Sequence, residues 1–496
     1  MTPQSDHPIA RLSTGEVRGR RSDGVQQFLG VPYAAPPTGS RRFAPPDPAA
    51  PWAGVRDAFD PGPNAPQRVR AVAGLTVAPL VGSGWVEGDD YLALNLWRPD
   101  TDATGLPVMM FVHGGGFVVG SKEAAVQNGS TFARDGVICV AINYRLGVDG
   151  FLPIPGIPTN LGLRDVIAAL GWVQREIAAF GGDPGNVTVF GESAGAMAIA
   201  DLVTSPLAAG LFRRAIIQSG HGAMTRDISV AQRLVAKLAQ LLGIASTRDG
   251  FASVSTAALL DAVEKVSLPT ARIDLRGPDG REPVFGISRF VPVHGDDVLP
   301  LPPLDALKAG AGKDIDILIG TNAEEMNLYL VSSGVRDKVG RLLSWFVLRK
   351  SQPRAWSALN AYGAGKRPGG RALTDAMTDL VFRWPARRFA EEHRGRTHLY
   401  EFEWRSPAFA GELGAAHAVE LPFVFDTLAC TSGPDGLLGQ APPQELATRM
   451  HRLWINFARD GSFPSAPFDR DTRQVYRVLA DQAAYEPPMP AAAFLP

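Results

Sequence analysis

The stretch NVTVFGESAGAMAIADL, residues 186–202, decides the fold. Its first five residues alternate toward a short apolar strand, and its last eight are an alanine-rich helical run. Between them Ser193 stands in Gly-Glu-Ser-Ala-Gly, flanked by Gly191 and Gly195. A serine on so sharp a strand-to-helix turn has its hydroxyl clear of the chain, and glycines without Cβ atoms leave room for that turn. The helix that follows directs free N–H groups and its positive dipole end at the same spot. Ser193 is therefore the candidate nucleophile.

Upstream, residues 106–112 are an apolar run that reads as a buried strand and ends in His113-Gly114-Gly115-Gly116-Phe117. Three glycines suit a loop whose backbone must approach a ligand closely. The amides of Gly115 and Gly116, with that of Ala194 after the serine, form a candidate oxyanion hole. In isolation the triple glycine reads as a plain turn; upstream of a serine elbow it reads as a donor loop.

A serine needs a base and an acid to orient it. Of the eight histidines, His7 lies in a polar segment, His113 in the glycine loop, and His221 just past a strand-like run. His294 is beside a proline-rich stretch, His451 follows a helical pattern, and His393 and His398 flank charged residues that read as solvated surface. His417 is the best base: it sits in a small-residue loop far down the chain, as the order serine, acid, histidine requires. That order places the acid between Ser193 and His417, excluding Asp165, Asp183 and Asp426. Asp227, Asp261 and Asp274 remain, but Glu324 and Glu325 are the more suggestive pair because they follow the short apolar strand at residues 317–320. Spacing does not choose between these two glutamates.

The residues resemble the type-B carboxylesterases, the cholinesterase-like branch of the α/β-hydrolases, over most of the chain. The resemblance is carried by GVPYA (30–34), LNLW (94–97), HGGGF (113–117), NYRLG (143–147), FGGDP (180–184), GESAG (191–195), QSG (218–220), GTN (320–322) with Glu325, and AAHAVELPFVF (415–425). It implies an α/β-hydrolase fold, the triad Ser193, Glu325 and His417, and oxyanion donors Gly115, Gly116 and Ala194. It also implies supporting roles for Ser219 beside the triad and for Glu192, a carboxylate next to the nucleophile. The chain departs from the family at three kinds of position. Ala65 and Tyr91 stand where secreted members carry a disulfide, Met326 and Ala418 replace glycines after the acid and the histidine, and Trp85 is not aligned with the choline-binding tryptophan.

The alternation of strands and helices predicts a doubly wound, mostly parallel sheet. We expect a single α/β-hydrolase domain over residues 1–496, with insertions at about 224–304 and 328–396 shaping the gorge. An amphipathic helix is expected at 230–242, and Trp345, Phe346, Trp356 and Trp384 are expected in the core. The hydrophobic fraction of 45% supports a large core, and the formal net charge of −1 gives no reason to bind nucleic acid or an anionic membrane. Only Cys139 and Cys430 are present, which fits a reducing compartment, and residues 1–13 hold no apolar core of signal-peptide length. The expectation is a cytoplasmic serine carboxylesterase acting on a small-molecule ester without metal or cofactor, a monomer being compatible with the sequence. A carbamate, lactone or amide hydrolase with the same triad is the alternative chemistry. A non-catalytic interaction module is the alternative of another class.

Overall fold

The computed structural model describes residues 7–268 and 270–495. Residues 1–6, part of the segment read above for a signal peptide, lie outside the described residues. Among the described residues the main sheet has eleven strands. They are β1 (Arg20–Ser22), β2 (Val25–Pro32), β3 (Ala93–Pro99), β4 (Leu106–Val112), β5 (Ile138–Ile142), β6 (Gly182–Glu192), β7 (Arg214–Gln218), β8 (Asp316–Asn322), β9 (Thr397–Phe402), β10 (Gln474–Arg477) and β11 (Gln482–Tyr485). Their spatial order is β11-β10-β9-β8-β7-β6-β4-β5-β3-β2-β1. Pairing is parallel from β10 through β5 and antiparallel at both edges.

The central strands are apolar runs without polar alternation because both sheet faces are covered. On β4, Val108, Met110 and Val112 enter one core while Met109 and Phe111 enter the other. The first core packs α1 (Leu161–Glu176), α2 (Ala194–Thr204) and α3 (Ile228–Leu242). Further helices are α4 (Arg341–Leu348), α5 (Gly369–Thr378), α6 (Trp384–Glu392) and α7 (Gln444–Asp460); α7 supplies Trp454 and Ile455 to the second core. Helix α3 is capped at its start by Asp227, which accepts from Ser229 N at 2.8 Å, and stops at Gly243 with φ 67°.

Register places the site. Val112 pairs with Gly191, Glu192 with Gln218, and Gln218 with Gly320. The C-terminal ends of β4, β6, β7 and β8 thus share one edge of the sheet, where open α/β sheets gather their ligands.

Two expectations about burial fail. His393 and His398 are buried, not solvated: His393 Nδ1 meets Thr397 Oγ1 at 2.7 Å and Nε2 meets Gly312 O at 2.9 Å, and His398 lies on β9. Nearby acidic residues are half-hidden through ion pairs such as Arg388–Glu392 and Arg473–Glu391, so local charge is no guide to exposure there. Trp384 is in the core, but Phe346 and Trp356 are exposed; helix α4 turns Leu342, Leu343, Phe346 and Val347 outward.

Candidate active site

Ser193 sits between β6 and α2 with φ 55° and ψ −124°. A residue with a side chain held there stores about 1–3 kcal/mol of strain, which the surrounding structure must maintain. It does so through close packing. A Cβ on Gly195 would lie 2.0 Å from Val112 O, and one on Gly191 would lie 2.6 Å from the same oxygen. Ser193 N donates to Gln218 O at 2.9 Å, tying the turn to β7.

The glycine loop leaves β4 with φ 100° at Gly115 and φ 62° at both Gly116 and Phe117. Several groups fix it. Tyr144 Oη donates to His113 O at 2.8 Å, Ser288 Oγ donates to Gly116 O at 2.7 Å, and Gly147 N donates to Phe117 O at 2.7 Å. Tyr144 in turn belongs to a segment anchored by the buried ion pair Arg145–Asp165 at 2.7 Å. Among the described residues, the amides of Gly115 and Gly116 make no backbone hydrogen bond. Ala194 N opens α2, where a helix leaves its amides unpaired. His113 is buried, stacked 4.4 Å from the Tyr144 ring and lowered to about 4 by burial, so it stays a neutral structural residue.

His417 and Glu325 meet directly. Nδ1 of His417 lies 2.7 Å from Glu325 Oε2, and His417 N donates to Glu325 O at 3.2 Å. The other carboxylate oxygen, Glu325 Oε1, accepts from Ser219 Oγ at 2.6 Å and from Asn322 N at 2.7 Å. Glu324 faces elsewhere: its Oε2 accepts from Ala415 N at 2.9 Å and pairs with Arg405, so it clamps the histidine loop. Among the described residues, Nε2 of His417 has no hydrogen-bond partner, Ser193 included. It stands 3.1 Å from Glu192 Oε1 but out of line for a bond. Ser193, His417, Glu192, Gly115 and Gly116 all line one cavity of about 650 Å³. The rings of Tyr329 and Phe382 lie 5.6 and 4.7 Å from His417.

A third carboxylate, Glu420, escaped the sequence reading. It is fully buried and accepts from Asn322 Nδ2 at 2.6 Å and Gln218 Nε2 at 3.2 Å, and Gln218 Oε1 accepts from Trp454 Nε1 at 3.0 Å. Its only signal in the sequence was its position three residues after the histidine. Burial raises Glu420 to about 7, reinforced by Glu325. Burial likewise raises Glu192 to about 8, opposed by His417. Burial works against charge on His417, but Glu192 and Glu325 outweigh it and lift the imidazole to about 9. Glu192 and His417 therefore influence each other's titration, the carboxylate raising the imidazole and the imidazolium lowering the carboxyl.

The remaining acid candidates are occupied elsewhere: Asp227 caps α3, Asp261 pairs with Arg68, and Asp274 pairs with Arg276. Ala418 adopts φ 66°, the left-handed conformation that a glycine would take more easily, and Met326 is buried with its amide donating to Thr378 Oγ1 at 3.1 Å. Ala65 and Tyr91 are buried, and Cys139 and Cys430 are free. Trp85 is not among the residues lining the cavity. The wall draws instead on Leu260, Val263, Ile287 and Ser288 from one side and Leu328 and Tyr329 from another. Among the described residues no group of three or more His, Cys, Asp or Glu could hold a metal ion, and no helix is long and apolar enough to cross a membrane.

The profile of the carboxylesterase family matches residues 6–485. The chain is 35% identical to the para-nitrobenzyl esterase of Bacillus subtilis over 92% of this chain and 90% of that one. It is also 35% identical to the liver carboxylesterase of Sus scrofa, covering 92% of this chain and 85% of that protein. A solved PNB esterase structure superposes with a TM-score of 0.85 at 32% identity, covering 99% of this chain and all of the other. Serine elbow, glycine loop and sheet edge agree with these likenesses, and the chain belongs to the carboxylesterase family of the α/β-hydrolase superfamily, as a serine hydrolase of carboxylic ester bonds.

Proposed function

We propose that Ser193 is the nucleophile, His417 the general base and acid, and Glu325 the residue that orients His417. Gly115, Gly116 and Ala194 supply the oxyanion donors. One observation carries this reading: His417 Nδ1 is held at 2.7 Å by Glu325 while its Nε2 is left unpaired on the cavity it shares with Ser193. A hydrogen bond from Nδ1–H to the carboxylate selects the tautomer whose Nε2 can accept a proton.

The Ser193 oxygen attacks the ester carbonyl as its proton passes to His417 Nε2, and the oxyanion falls to the three amides. Collapse expels the alcohol, which takes that proton, and leaves an acyl-enzyme. Water then attacks, giving its proton to His417, and the acid leaves as Ser193 recovers a proton. One ester and one water yield one acid and one alcohol, with no cofactor in the balance. Ser219 and Glu192 act as positioning residues, the first on Glu325 and the second on the histidine proton. By likeness to the Bacillus relative, para-nitrobenzyl esters are proposed as substrates. The free thiols support a reducing compartment, taken here as the cytoplasm, and the net charge of −1 supports a small-molecule partner rather than nucleic acid.

An organophosphonate probe tests the assignment. The expected adduct is on the peptide carrying Ser193, and Ser193→Ala should lose at least about 10⁴-fold in kcat/KM on an aryl ester while remaining folded. An adduct elsewhere, or near-normal turnover in a folded Ser193→Ala protein, would overturn it.

A further inference from the structure

Charge is distributed unevenly along this nearly neutral chain. Residues 336–371 contain nine lysines and arginines and a single acid, Asp337, a local net charge of +8 against −1 for the whole. Arg336, Arg367 and Arg371 are neutralised by ion pairs with Asp337, Glu412 and Asp375. Among the described residues, Lys338, Arg341, Arg349, Lys350, Arg354 and Lys366 have no carboxylate partner, so most of the excess charge faces solvent.

The same segment gathers a run of exposed large apolar side chains. On α4, Ser344 and Leu348 are buried, whereas Leu342, Leu343, Phe346 and Val347 are 75, 51, 45 and 36% exposed. Trp356, on the following helix, is 39% exposed beside them, its ring 6.4 Å from that of Trp345. A helix that hides its serine and shows leucine and phenylalanine to water is unstable as a free surface and stable when something apolar covers it. Cations are interleaved with the ridge. Arg341 lies over the Trp356 ring at 4.5 Å, and Arg349 over Trp345 and Phe346 at 4.6 and 5.0 Å.

We propose that α4 and Trp356 dock this protein on an anionic lipid surface. Apolar residues on one face, basic residues along its borders and tryptophan between them are the properties of a helix lying in the plane of a charged bilayer interface. Leu342, Leu343, Phe346 and Val347 enter the acyl boundary, and the unpaired lysines and arginines meet headgroup phosphates. A second copy of the chain is a poorer occupant, because a two-fold interface would set one basic ridge against another. The stretch just before α4 contributes Ser332 and Ser333 to the cavity wall, so chain continuity links the docking helix to the catalytic gorge.

Vesicle flotation of the full-length protein tests the proposal. It should float with phosphatidylcholine vesicles that contain phosphatidylglycerol, not with phosphatidylcholine alone, and rising salt should release it. The double variant L342Q/F346Q should bind about tenfold or more weakly, and R349E/K350E should lose the preference for phosphatidylglycerol. Turnover of p-nitrophenyl acetate should stay unchanged in both, which verifies the fold. Failure of the wild type to float, or equal flotation of L342Q/F346Q, would overturn the proposal. So would a wild-type dimer that L342Q/F346Q converts to monomer, which would assign the ridge to a second copy.

Discussion

Glu192 Oε1 stands 3.1 Å from Nε2 of His417, on the nitrogen opposite the one held by Glu325. The imidazole is thus bracketed by carboxylates, and its charged form is favoured, lifted to about 9 despite burial. Only the neutral ring can take the serine proton, so kcat/KM should climb as pH rises. Glu192→Gln removes the charge nearest Nε2, weakens the imidazolium and should move that climb to lower pH by about 1 unit or more. A pH profile on p-nitrophenyl acetate checks it. An unmoved profile would mean that the Glu192 charge does not reach the ring.

Both carboxylate oxygens of Glu325 are engaged. Oε2 serves His417, and Oε1 serves both Ser219 Oγ and Asn322 N. In Glu325→Gln one end becomes an NH₂ donor, which must oppose either the Asn322 amide or the Nδ1–H of His417. The second arrangement flips the histidine tautomer and blocks Nε2 as a base. We expect kcat to fall about 10³–10⁴-fold. Ser219→Ala deletes one partner and keeps the other two, so its fall should be nearer tenfold. Steady-state kinetics of the two variants separate these roles, since equal losses would make the Ser219 hydroxyl as necessary as the carboxylate.

The elbow depends on an absent atom. A methyl on Gly195 would sit 2.0 Å from Val112 O, and that carbonyl is fixed because β4 is paired with strands on both sides. Gly195→Ala should cost about 3 kcal/mol or more, or prevent soluble expression. Gly365→Ala, where nothing lies within 4 Å of the added methyl, should stay within about 0.5 kcal/mol of wild type. Urea unfolding of both proteins reads the contrast directly.

These particulars also explain what could be read from residues alone. The elbow and the glycine loop were legible because their backbone geometry admits few residues, and the buried strands because parallel pairing leaves no polar face. Glu324 and Glu325 could not be separated, as neighbouring side chains diverge according to how the chain turns after β8, which no spacing encodes. Glu420 was invisible for a related reason: a lone carboxylate acquires meaning only when Asn322 and Gln218 reach it from β8 and β7. Phe346 and Trp356 misled the reading because aromatic residues are usually core, and their identity does not report whether anything covers the helix that carries them.

The sheet edge that carries Glu325 is itself braced by buried charge. Arg387 is fully buried, bonded to Glu486 at 2.8 and 3.0 Å, to Glu401 at 2.6 Å and to Thr321 Oγ1, one residue before Asn322, at 2.5 Å. Replacing it with methionine fills the space but leaves two carboxylates short of a partner, a loss of about 3–5 kcal/mol near neutral pH. The pH dependence carries the diagnosis. Burial would raise Glu401, yet Arg383, Arg387 and Arg477 outweigh it and hold the carboxyl down at about 2 against 4.5 unperturbed. Its contribution to stability is therefore present above the unperturbed value and is lost as pH falls through the folded one. With Arg387→Met the depression lessens, so the stability gap between wild type and variant should shrink from neutral pH to about pH 3 in urea titrations. A gap of constant size would trace the loss to packing and leave the charge network without its role.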